Sequence, residues 1–530
     1  MITFDSLTLK ALIAEELDFM SGARITKIQQ PTRRELLLVL RNHGESRSFY
    51  VNINPQFYHL CFSSKENLQK KFIEIPQKPP MFCMLLRKYL LNSRIAKVNQ
   101  PEFERILEFY IETYNEMGDK IYLCLAFELM GKYSNVILYN YDTNIILGCA
   151  HNVGAEKSRE REMYGGIPYV YPPAQAKADI LQYSGEVNYD DLSQDFYWFS
   201  KSFASLCIGK DLDSLKNYVQ LKNVTPVISK NFSQYSLFEE LLVDATKYDS
   251  VNVMIDDYYS FCISQHKFNS LKNYYVSSVN QKLKKIVKSL KQMGYQVMQN
   301  QNADVYRLYG DLILANLYNL KDYEASISVY DYENDRQIVI NLDETKSLKD
   351  NANKFYKLYN KAKTSNLKMA ELMDELKQKK SFYENLLYSI NLSKNMEDLQ
   401  EISNEVEDVK LSEKANKTHS EPIKIDLENE TRIYIGRNNK QNDMIVSKLS
   451  SDDDLWFHVK DCAGSHVLLK TQNITDELIY KCAKYAKEYS TANNSTKAGV
   501  IYTKRKYLRK PPAALLGYVT YRNEKEIVVD

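Results

Sequence analysis

The chain has 530 residues, of which 44% are hydrophobic and 26% charged, and its mean hydropathy is −0.46. This length exceeds what one hydrophobic core usually serves, so several domains are expected. The 70 Lys and Arg against 68 Asp and Glu leave a net charge of only +2. The overall charge therefore excludes a uniformly basic nucleic-acid binder, and any RNA surface must be a local patch.

The sequence lacks most of the features that would indicate a membrane, a secretion route or a bound metal. No run of about 18 uncharged apolar residues is present, so no membrane span is expected. Met1–Asp5 lacks the basic and apolar regions of a signal peptide. The eight cysteines are dispersed without a Cys-x-x-Cys pair, which argues against a disulfide framework and a zinc knuckle. We expect a cytoplasmic protein with reduced thiols and no cofactor.

The first 175 residues are typical of an α/β domain. Apolar residues at helical spacing predict a helix over 6–20 behind a Ser cap. Strands are predicted over 24–31, 35–40 and 48–53, and a further helix over 80–90. The Gly-, Pro- and Tyr-rich stretch 165–173 predicts the end of this domain, 1–175.

A helical domain, 176–268, and a long helical arm, 269–395, are predicted next. In the arm, apolar residues recur at alternating steps of 3 and 4 over Val276–Val297 and again over Ala352–Ile390, the rhythm of a coiled coil. Asn366 and Lys380 are polar positions in this pattern that would fix register. A β-hairpin is predicted between the two runs, within 325–342. An intramolecular antiparallel hairpin is favoured, with dimerisation or core packing as alternatives.

The C-terminal part is predicted as a linker, 396–422, followed by an α/β domain, 423–530. The linker is poor in apolar residues and contains Pro422. Strands are predicted over 423–427 and 431–435, and a helix over 477–490.

Three blocks in this last domain carry the most specific pattern. They are Gly-Arg-Asn-Asn-Lys-Gln-Asn-Asp at 436–443, Asp-Leu-Trp-Phe-His-Val-Lys-Asp at 454–461 and Gly-Ser-His-Val at 464–467. Cationic, amide and aromatic side chains suit contacts with phosphates, base edges and base faces. The alternative is a hydrogen-bonded edge strand and turn. The basic run Lys504–Lys510 is a candidate phosphate patch, although charge runs are usually solvated faces.

No catalytic motif stands out in the sequence. A phosphate-binding Gly-rich loop, a Gly-x-Ser-x-Gly elbow and a His-Glu-x-x-His helix are all missing. His458 and His466 lie near a single cysteine, Cys462, so no metal site is predicted. We expect a binding protein rather than an enzyme.

The motifs at both ends resemble those of the RqcH/Rqc2/NEMF (NFACT) family of ribosome quality control factors, many of whose bacterial members were first named fibronectin-binding proteins. The residues that carry this resemblance are the three C-terminal blocks and the segments 79–88 and 127–135. The resemblance implies an α+β multidomain protein with a glycosylase-like NFACT-N domain, a helix-hairpin-helix-like helical domain, a coiled-coil arm with a small β module, and an α/β NFACT-R domain. Glycosylase activity is not expected, because position 2 is Ile rather than the attacking Pro.

The resemblance also implies a function. The protein would bind stalled large ribosomal subunits carrying peptidyl-tRNA and recruit tRNA, in bacteria mainly alanyl-tRNA, for mRNA-independent C-terminal tailing with alanine. The alternative is a surface adhesin for fibronectin. Glu104 and Arg105 replace the family's Asp-Arg pair for tRNA recognition, with a surface salt bridge as the alternative. The other candidate RNA-binding residues are Arg87, Lys88, Lys132, Arg437, Asn438, Asn439, Lys440, Asn442, Asp443, Trp456, His458, Lys460, His466, Lys504, Arg505, Lys506, Arg509 and Lys510.

Overall fold

The structure is a computed structural model that describes residues 4–114, 117–156, 160–300, 303–407, 421–428, 430–512 and 514–530. It divides into two compact units, one ending at Lys267 and the other beginning at Phe268. Both units combine helices with antiparallel sheets, so the predicted mixed α/β multidomain class is confirmed.

The first unit is built on a nine-stranded sheet with the order β4-β3-β2-β1-β5-β6-β7-β8-β9. Two antiparallel meanders, β1 to β4 and β5 to β9, meet where Arg24 pairs with Arg94. The helices and strands are α1 (Ser6–Met20), β1 (Arg24–Gln29), β2 (Glu35–Asn42), β3 (Glu45–Asn52), β4 (His59–Phe62), α2 (Lys65–Lys70), α3 (Met81–Leu90), β5 (Arg94–Asn99), β6 (Ile106–Tyr114), β7 (Lys120–Glu128), β8 (Asn135–Asn140) and β9 (Ile146–Cys149).

The sequence predicted α1 correctly but not its cap. The N-cap is Asp5, whose carboxylate accepts the backbone N–H of Thr8 at 2.8 Å, whereas Ser6 is the first helical residue. Asp5 also accepts the hydroxyl of Ser200 at 2.7 Å, which ties α1 to a later segment of the same unit.

The segment predicted as a helical domain contains both helices and a small sheet. Its elements are α4 (Leu192–Asp195), α5 (Lys201–Leu206), α6 (Leu212–Val219), β10 (Val227–Ser229), β11 (Tyr235–Ser236) and β12 (Ala245–Lys247), with strand order β11-β10-β12. Buried residues of this segment, such as Leu215 and Tyr235, belong to the same hydrophobic core as Phe49 and Phe127 of the large sheet. The core is therefore continuous across the predicted boundary at residue 175, and the predicted boundaries remain predictions.

The helical arm consists of α7 (Val251–Asn300), α8 (Ala303–Ala315), β13 (Ser326–Asp331), β14 (Arg336–Asn341) and α9 (Leu348–Leu392). Asn300 donates to Asn366 at 2.9 Å, and Tyr356 donates to Asp311 at 2.6 Å. Residues later in α7 and α8 thus contact residues earlier in α9, so the helices run in opposite directions. The predicted antiparallel arm is confirmed. The predicted hairpin is confirmed with Val329 paired to Ile338.

The C-terminal part contains α10 (Met396–Glu407), β15 (Ile423–Asp426), β16 (Arg432–Ile435), α11 (Asn439–Met444), β17 (Leu455–Val459), β18 (Val467–Lys470), α12 (Asp476–Glu488), β19 (Ala498–Lys504), β20 (Leu508–Arg509), β21 (Thr520–Tyr521) and β22 (Lys525–Val529). The main sheet has the order β15-β16-β18-β17-β19-β22. On one face α12 packs over Phe457 and Val467, and the opposite face buries Trp456 and Leu468.

The predicted linker 396–422 begins as an ordered helix. Leu399, Ile402 and Val406 of α10 are buried against Tyr275 and Leu386 of the arm. A few apolar residues are enough to pack α10 against the arm, because they recur at helical spacing and form one apolar stripe along the helix. Residues 408–420 of the predicted linker lie outside the described residues.

Candidate nucleic-acid interface

The Glu104 and Arg105 side chains lie half-buried in the turn between β5 and β6. The turn is held by Gln100, whose side-chain amide donates to the carbonyl of Glu104 at 2.8 Å. Arg105 donates to the hydroxyl of Tyr58 at 3.2 Å. Burial raises the pKa of Glu104, against the opposing charge of Arg105.

The alternative to a tRNA site was a simple salt bridge between Glu104 and Arg105. In the described part of the chain no ion pair joins Glu104 to Arg105, since the guanidinium is directed to Tyr58. The carboxylate and the remaining guanidinium donors can therefore serve a nucleotide. Their assignment to tRNA stays a prediction.

Three further charged residues near this pair, Arg161, Glu128 and Lys177, were missed by sequence reasoning. Arg161 binds the buried carboxylate of Glu128 through two hydrogen bonds of 2.9 and 2.5 Å. The charges of both residues act on Glu104, as does that of Lys177. Nothing in the Arg-Glu-Arg-Glu sequence at 159–162 distinguishes Arg161 from a surface charge, because its partner lies 33 positions away.

The other predicted residues of the first unit have different surroundings. Arg87 donates to the backbone carbonyl of Ile28 at 2.9 Å, so its guanidinium is partly engaged in the fold. Lys88 and Lys132 are exposed. Lys132 lines a cavity of about 700 Å³ that also includes Arg34.

In the C-terminal domain, the block 436–443 forms a network of hydrogen bonds at the start of α11. Asn438 caps the helix by accepting the backbone N–H of Gln441 at 2.9 Å, and Gln441 in turn accepts the backbone N–H of Arg437 at 2.9 Å. Asn442 accepts the backbone N–H of His466 at 3.0 Å. Asn439 donates to Glu405 at 3.1 Å.

This network corrects part of the predicted RNA contact set. Asn438, Asn439 and Asn442 are at most 7% exposed, and their amides bind other parts of the protein. Buried amides in such bonds cannot reach a phosphate or base without unfolding the turn. These three residues are the scaffold of the surface. Among the other residues of the first two blocks, Lys440 and Lys460 are exposed, whereas Arg437 and Asp443 are half-buried.

The basic run at 504–510 is partly neutralised by acidic side chains. Lys504 and Lys506 bind Asp453 at 3.0 and 3.1 Å, and Lys510 binds Asp443. Arg505 is half-buried and donates to the carbonyl of Val446 at 3.0 Å. Exposed ion pairs contribute only ~0–1 kcal/mol, so a phosphate could replace these carboxylates at small cost. Arg509 is exposed beside them.

A cavity of about 400 Å³ lies between α9 and the face of the C-terminal sheet that carries Trp456. The predicted residues Trp456, His458 and His466 form part of its wall. Sequence reasoning missed the residues that complete it. These include Lys377, Lys380, Phe382, Asn385, Tyr518 and Tyr521.

Besides the three predicted residues of the wall, Lys380 was singled out by the sequence. It was predicted to fix the register of the arm, but it binds Glu384 of its own helix at 3.2 Å. At this position α9 faces the cavity.

Comparison with known proteins places these features in one family. A family model described as NFACT N-terminal and middle domains matches residues 5–204 and 208–423, and one described as NFACT protein RNA binding domain matches 425–521. The chain belongs to the NFACT family. The predicted resemblance is thereby confirmed, and the candidate interface at 436–510 lies in the RNA-binding domain of an NFACT protein.

Similar proteins cover the whole length of this NFACT chain. It is 28% identical over 569 aligned residues to the Rqc2 homolog RqcH of Bacillus subtilis, covering 100% of this chain and 98% of that protein. It is 27% identical to the Rqc2 homolog RqcH of Streptococcus suis, with the same coverage. A solved structure, the N-terminal part of the fibronectin/fibrinogen-binding protein from Streptococcus suis, covers 48% of this chain and 99% of that one at 26% identity and a TM-score of 0.43.

None of the helices in the described ranges is both long and apolar enough to cross a bilayer. In the same ranges, no three His, Cys, Asp or Glu side chains are grouped so that they could hold a metal ion.

Proposed function

We propose that this NFACT protein is a non-catalytic ribosome-associated quality control factor. It binds large ribosomal subunits that carry peptidyl-tRNA, and recruits tRNA, in particular alanyl-tRNA, for mRNA-independent tailing of the stalled chain. Peptide-bond formation belongs to the ribosome, so no catalytic residue is assigned. The protein acts in the cytoplasm, where its ribosomal partner is found.

The observation that carries this proposal is similarity to RqcH proteins over the full length, including both units and the RNA-binding domain. Similarity confined to one domain would support RNA binding alone. Full-length similarity supports the combined task, in which Glu104 and Arg105 hold tRNA and the C-terminal domain binds rRNA or tRNA. The antiparallel arm supplies reach, since α9 alone has 45 residues and spans ~70 Å at 1.5 Å per residue.

The proposal is tested by sedimentation and RNA sequencing. Tagged protein is recovered from cells under translational stress, lysates are separated on a sucrose gradient, and co-purified RNA is sequenced. We expect protein in large-subunit fractions together with a narrow set of tRNAs dominated by alanine tRNA. Absence from these fractions, with protein on the surface of intact cells, would instead favour the fibronectin-binding alternative.

A double variant, Glu104→Ala with Arg105→Ala, separates tRNA recruitment from subunit binding. We expect loss of co-purified tRNA while large-subunit rRNA is retained. Glu66→Ala with Lys70→Ala is the matched control, because this exposed pair on α2 is also one acid and one base, with 2.7 Å between them. Retention of tRNA by the first variant would remove the site assignment.

A further inference from the structure

The first unit contains a cavity of about 700 Å³ that combines apolar and charged lining residues. Cavities of ~300–1,000 Å³ with mostly apolar walls and a few polar groups are the usual form of a small-ligand site. The exposed side chains that line this cavity include Arg34, Lys132 and Tyr133. Its apolar wall is formed by Met130, Val153, Met163, Pro172 and Pro173. A ligand that fits it must offer both an apolar surface and groups that cations bind.

This cavity lies next to the Glu104–Arg105 pair. The backbone N–H of Leu129 donates to the carbonyl of Arg105 at 2.9 Å, and the segment 132–135 that follows lines the cavity. The ring of Tyr58, whose hydroxyl accepts from Arg105 at 3.2 Å, lies 3.8 Å from where a β-carbon on Gly131 would be. The same stretch of chain therefore contacts the pair at its start and lines the cavity at its end, so one ligand can reach both.

Two exposed cations of the cavity are available to a phosphate. The ammonium of Lys132 lies 4.8 Å from the ring centroid of Tyr133, and Arg34 lies in the turn before β2. Within the described ranges neither cation forms an ion pair. Arg161 also lines the cavity but is bound to a buried carboxylate, and Glu160 adds one acidic group. The two available cations outnumber this acidic group, so the cavity favours an anionic ligand.

Tyr133 indicates a nucleotide rather than a phosphate alone. Its ring is 60% exposed, so a face is available for stacking. Aromatic rings beside cations are typical of single-stranded RNA sites, because bases stack on the ring while the cations bind the phosphates. The bases of a duplex are stacked on one another, so only an unpaired base reaches such a ring. A phosphate alone would leave Tyr133 and the apolar wall uncovered.

We propose that this cavity binds one unpaired nucleotide of the tRNA that Glu104 and Arg105 hold. The base stacks on Tyr133 and is covered by the apolar wall, while Arg34 and Lys132 bind the adjacent phosphates. The inference rests on the tRNA part of the proposed function and names a second contact region for the same ligand. The loops and the 3′ end of tRNA both carry unpaired nucleotides, and footprinting distinguishes these two sources.

The stacking contact is tested by the affinity of the full chain for unfractionated tRNA, measured by filter binding. Tyr133→Ala should weaken binding roughly tenfold, the effect of losing one base stacked on an aromatic ring. Tyr133→Phe keeps the ring and should bind as tightly as the parent. Tyr114→Ala is the matched control, because Tyr114 is a 70% exposed tyrosine of the same unit and is not among the described residues that line the cavity.

The phosphate contacts are tested by the dependence of affinity on salt. Arg34→Ala with Lys132→Ala should reduce the slope of log affinity against log salt concentration by about 1.4, because each phosphate contact with a single strand contributes ~0.7. Arg33→Ala should leave the slope unchanged, since Arg33 is the exposed neighbour of Arg34 and lies outside the described wall of the cavity. All of these variants change exposed side chains, so their thermal stability should match that of the parent.

Chemical probing of unpaired bases in the bound tRNA, read by sequencing, identifies the nucleotide. One nucleotide, either in a loop or at the 3′ end, should be protected by the parent and reactive with Tyr133→Ala. Unchanged affinity and probing pattern in Tyr133→Ala would overturn the nucleotide site, even if the salt slope fell in the double variant.

The outcomes separate this inference from the proposed function. If Tyr133→Ala binds tRNA normally while Glu104→Ala with Arg105→Ala loses it, the cavity site fails and the proposed function stands. If the parent protein binds no tRNA and recovers none from cells, both fail together.

Discussion

The side-chain carbonyl oxygen of Asn442 accepts the backbone N–H of His466 at 3.0 Å, which joins the first and third blocks of the C-terminal motif. The same amide donates to the carbonyl of Gly464 at 3.4 Å. Gly436 lies against this amide so closely that any side chain at that position would collide with it. The hydrogen bonds of the polar motif therefore hold α11 against the segment that leads into β18. The exposed cations nearby are positioned by this scaffold.

Asn442→Ala should destabilise the C-terminal domain. It leaves the buried N–H of His466 without an acceptor, which costs ~1–3 kcal/mol. Hydrogen exchange measured by mass spectrometry should show faster exchange over 464–469. Lys440→Ala is the control, because Lys440 is exposed on the same helix. It should leave exchange unchanged and weaken RNA binding by a few-fold. If 464–469 exchanged at the same rate in Asn442→Ala and in the parent protein, the hydrogen bond from His466 would contribute little to stability.

The sequence predicted this motif as a unit but could not separate contact from scaffold. Asn is favoured at a helix N-cap for its acceptor oxygen and at an RNA surface for its paired donor and acceptor groups. Only burial distinguishes the two uses, and burial of Asn439 depends on Glu405 and the carbonyl of Phe382, which are distant in sequence. The shape of the cavity beside Trp456 could not be predicted either, because Asn385, which lines it, is held by the backbone N–H of Gly464, 79 positions away.

The helices of the arm were easier to predict from the sequence than the contacts of the site. The arm was predicted because its apolar steps repeat over many turns, and Asn366 was correctly placed as a polar register position. Helix α10 was missed because its apolar residues, Leu399, Ile402 and Val406, are few and are buried only against other helices. Local composition alone therefore indicated a linker.

Glu405→Gln should make the second unit more stable above neutral pH. Burial raises the pKa of Glu405 to about 7, against the opposing hydrogen bond from Asn439 and the charge of Lys440. Its Oε1 is buried and has no hydrogen-bond partner among the residues that the structure describes. The fold therefore favours the neutral carboxyl, and this contribution is complete below pH ~4.5 and is lost as the pH rises through about 7.

The pH profile of unfolding measures this effect. At pH 8 the variant should be more stable than the parent by at most about 3 kcal/mol, since each pKa unit corresponds to ~1.4 kcal/mol. At pH 5 the two should converge. Glu397→Gln, on the exposed face of the same helix, should show no such divergence. A constant difference between pH 5 and pH 8 would contradict the assignment.

Asp256→Ala should be among the most destabilising changes in the first unit. Lys71 is fully buried and binds Asp256 at 2.6 Å. The carboxylate also accepts hydrogen bonds from Ser63, Ser64 and Asn67. Burial opposes the charged form, but the charge of Lys71 and these hydrogen bonds outweigh it and lower the pKa of Asp256.

Removing Asp256 leaves a buried ammonium unpaired, which costs ~3–5 kcal/mol. The double variant Lys71→Met with Asp256→Asn should recover most of this loss, because it removes the unpaired ammonium and keeps an acceptor oxygen for Ser63, Ser64 and Asn67. Urea denaturation followed by far-UV circular dichroism compares the variants. The exposed pair Glu66 and Lys70 is the control, and Glu66→Ala should cost less than ~1 kcal/mol. Similar losses for Asp256→Ala and Glu66→Ala would show that the buried pair is screened by water.

Arg105→Lys should lower tRNA recovery although it preserves the charge. The guanidinium of Arg105 lies over the ring of Tyr58 with its centre 5.9 Å from the ring centroid and donates to its hydroxyl at 3.2 Å, so its plane is fixed while other donors remain available. Lysine has no planar fork and cannot make paired hydrogen bonds to a nucleotide. We expect roughly tenfold less co-purified tRNA per protein, the loss of one charge-assisted hydrogen bond.

Glu104→Asp and Glu104→Gln separate reach from charge at the neighbouring position. The backbone of Glu104 is held by Pro101 and Gln100, so neither change should disturb the turn. Asp keeps the carboxylate one methylene shorter and should retain tRNA, whereas Gln removes the charge and should lose it to the same degree as Arg105→Lys. Sequencing of the recovered tRNA shows whether selection changes along with yield. Undiminished recovery with Arg105→Lys and Glu104→Gln, at unchanged thermal stability, would mean that tRNA is held elsewhere in the first unit, with the cluster of Arg161 and Lys177 as the next site to test.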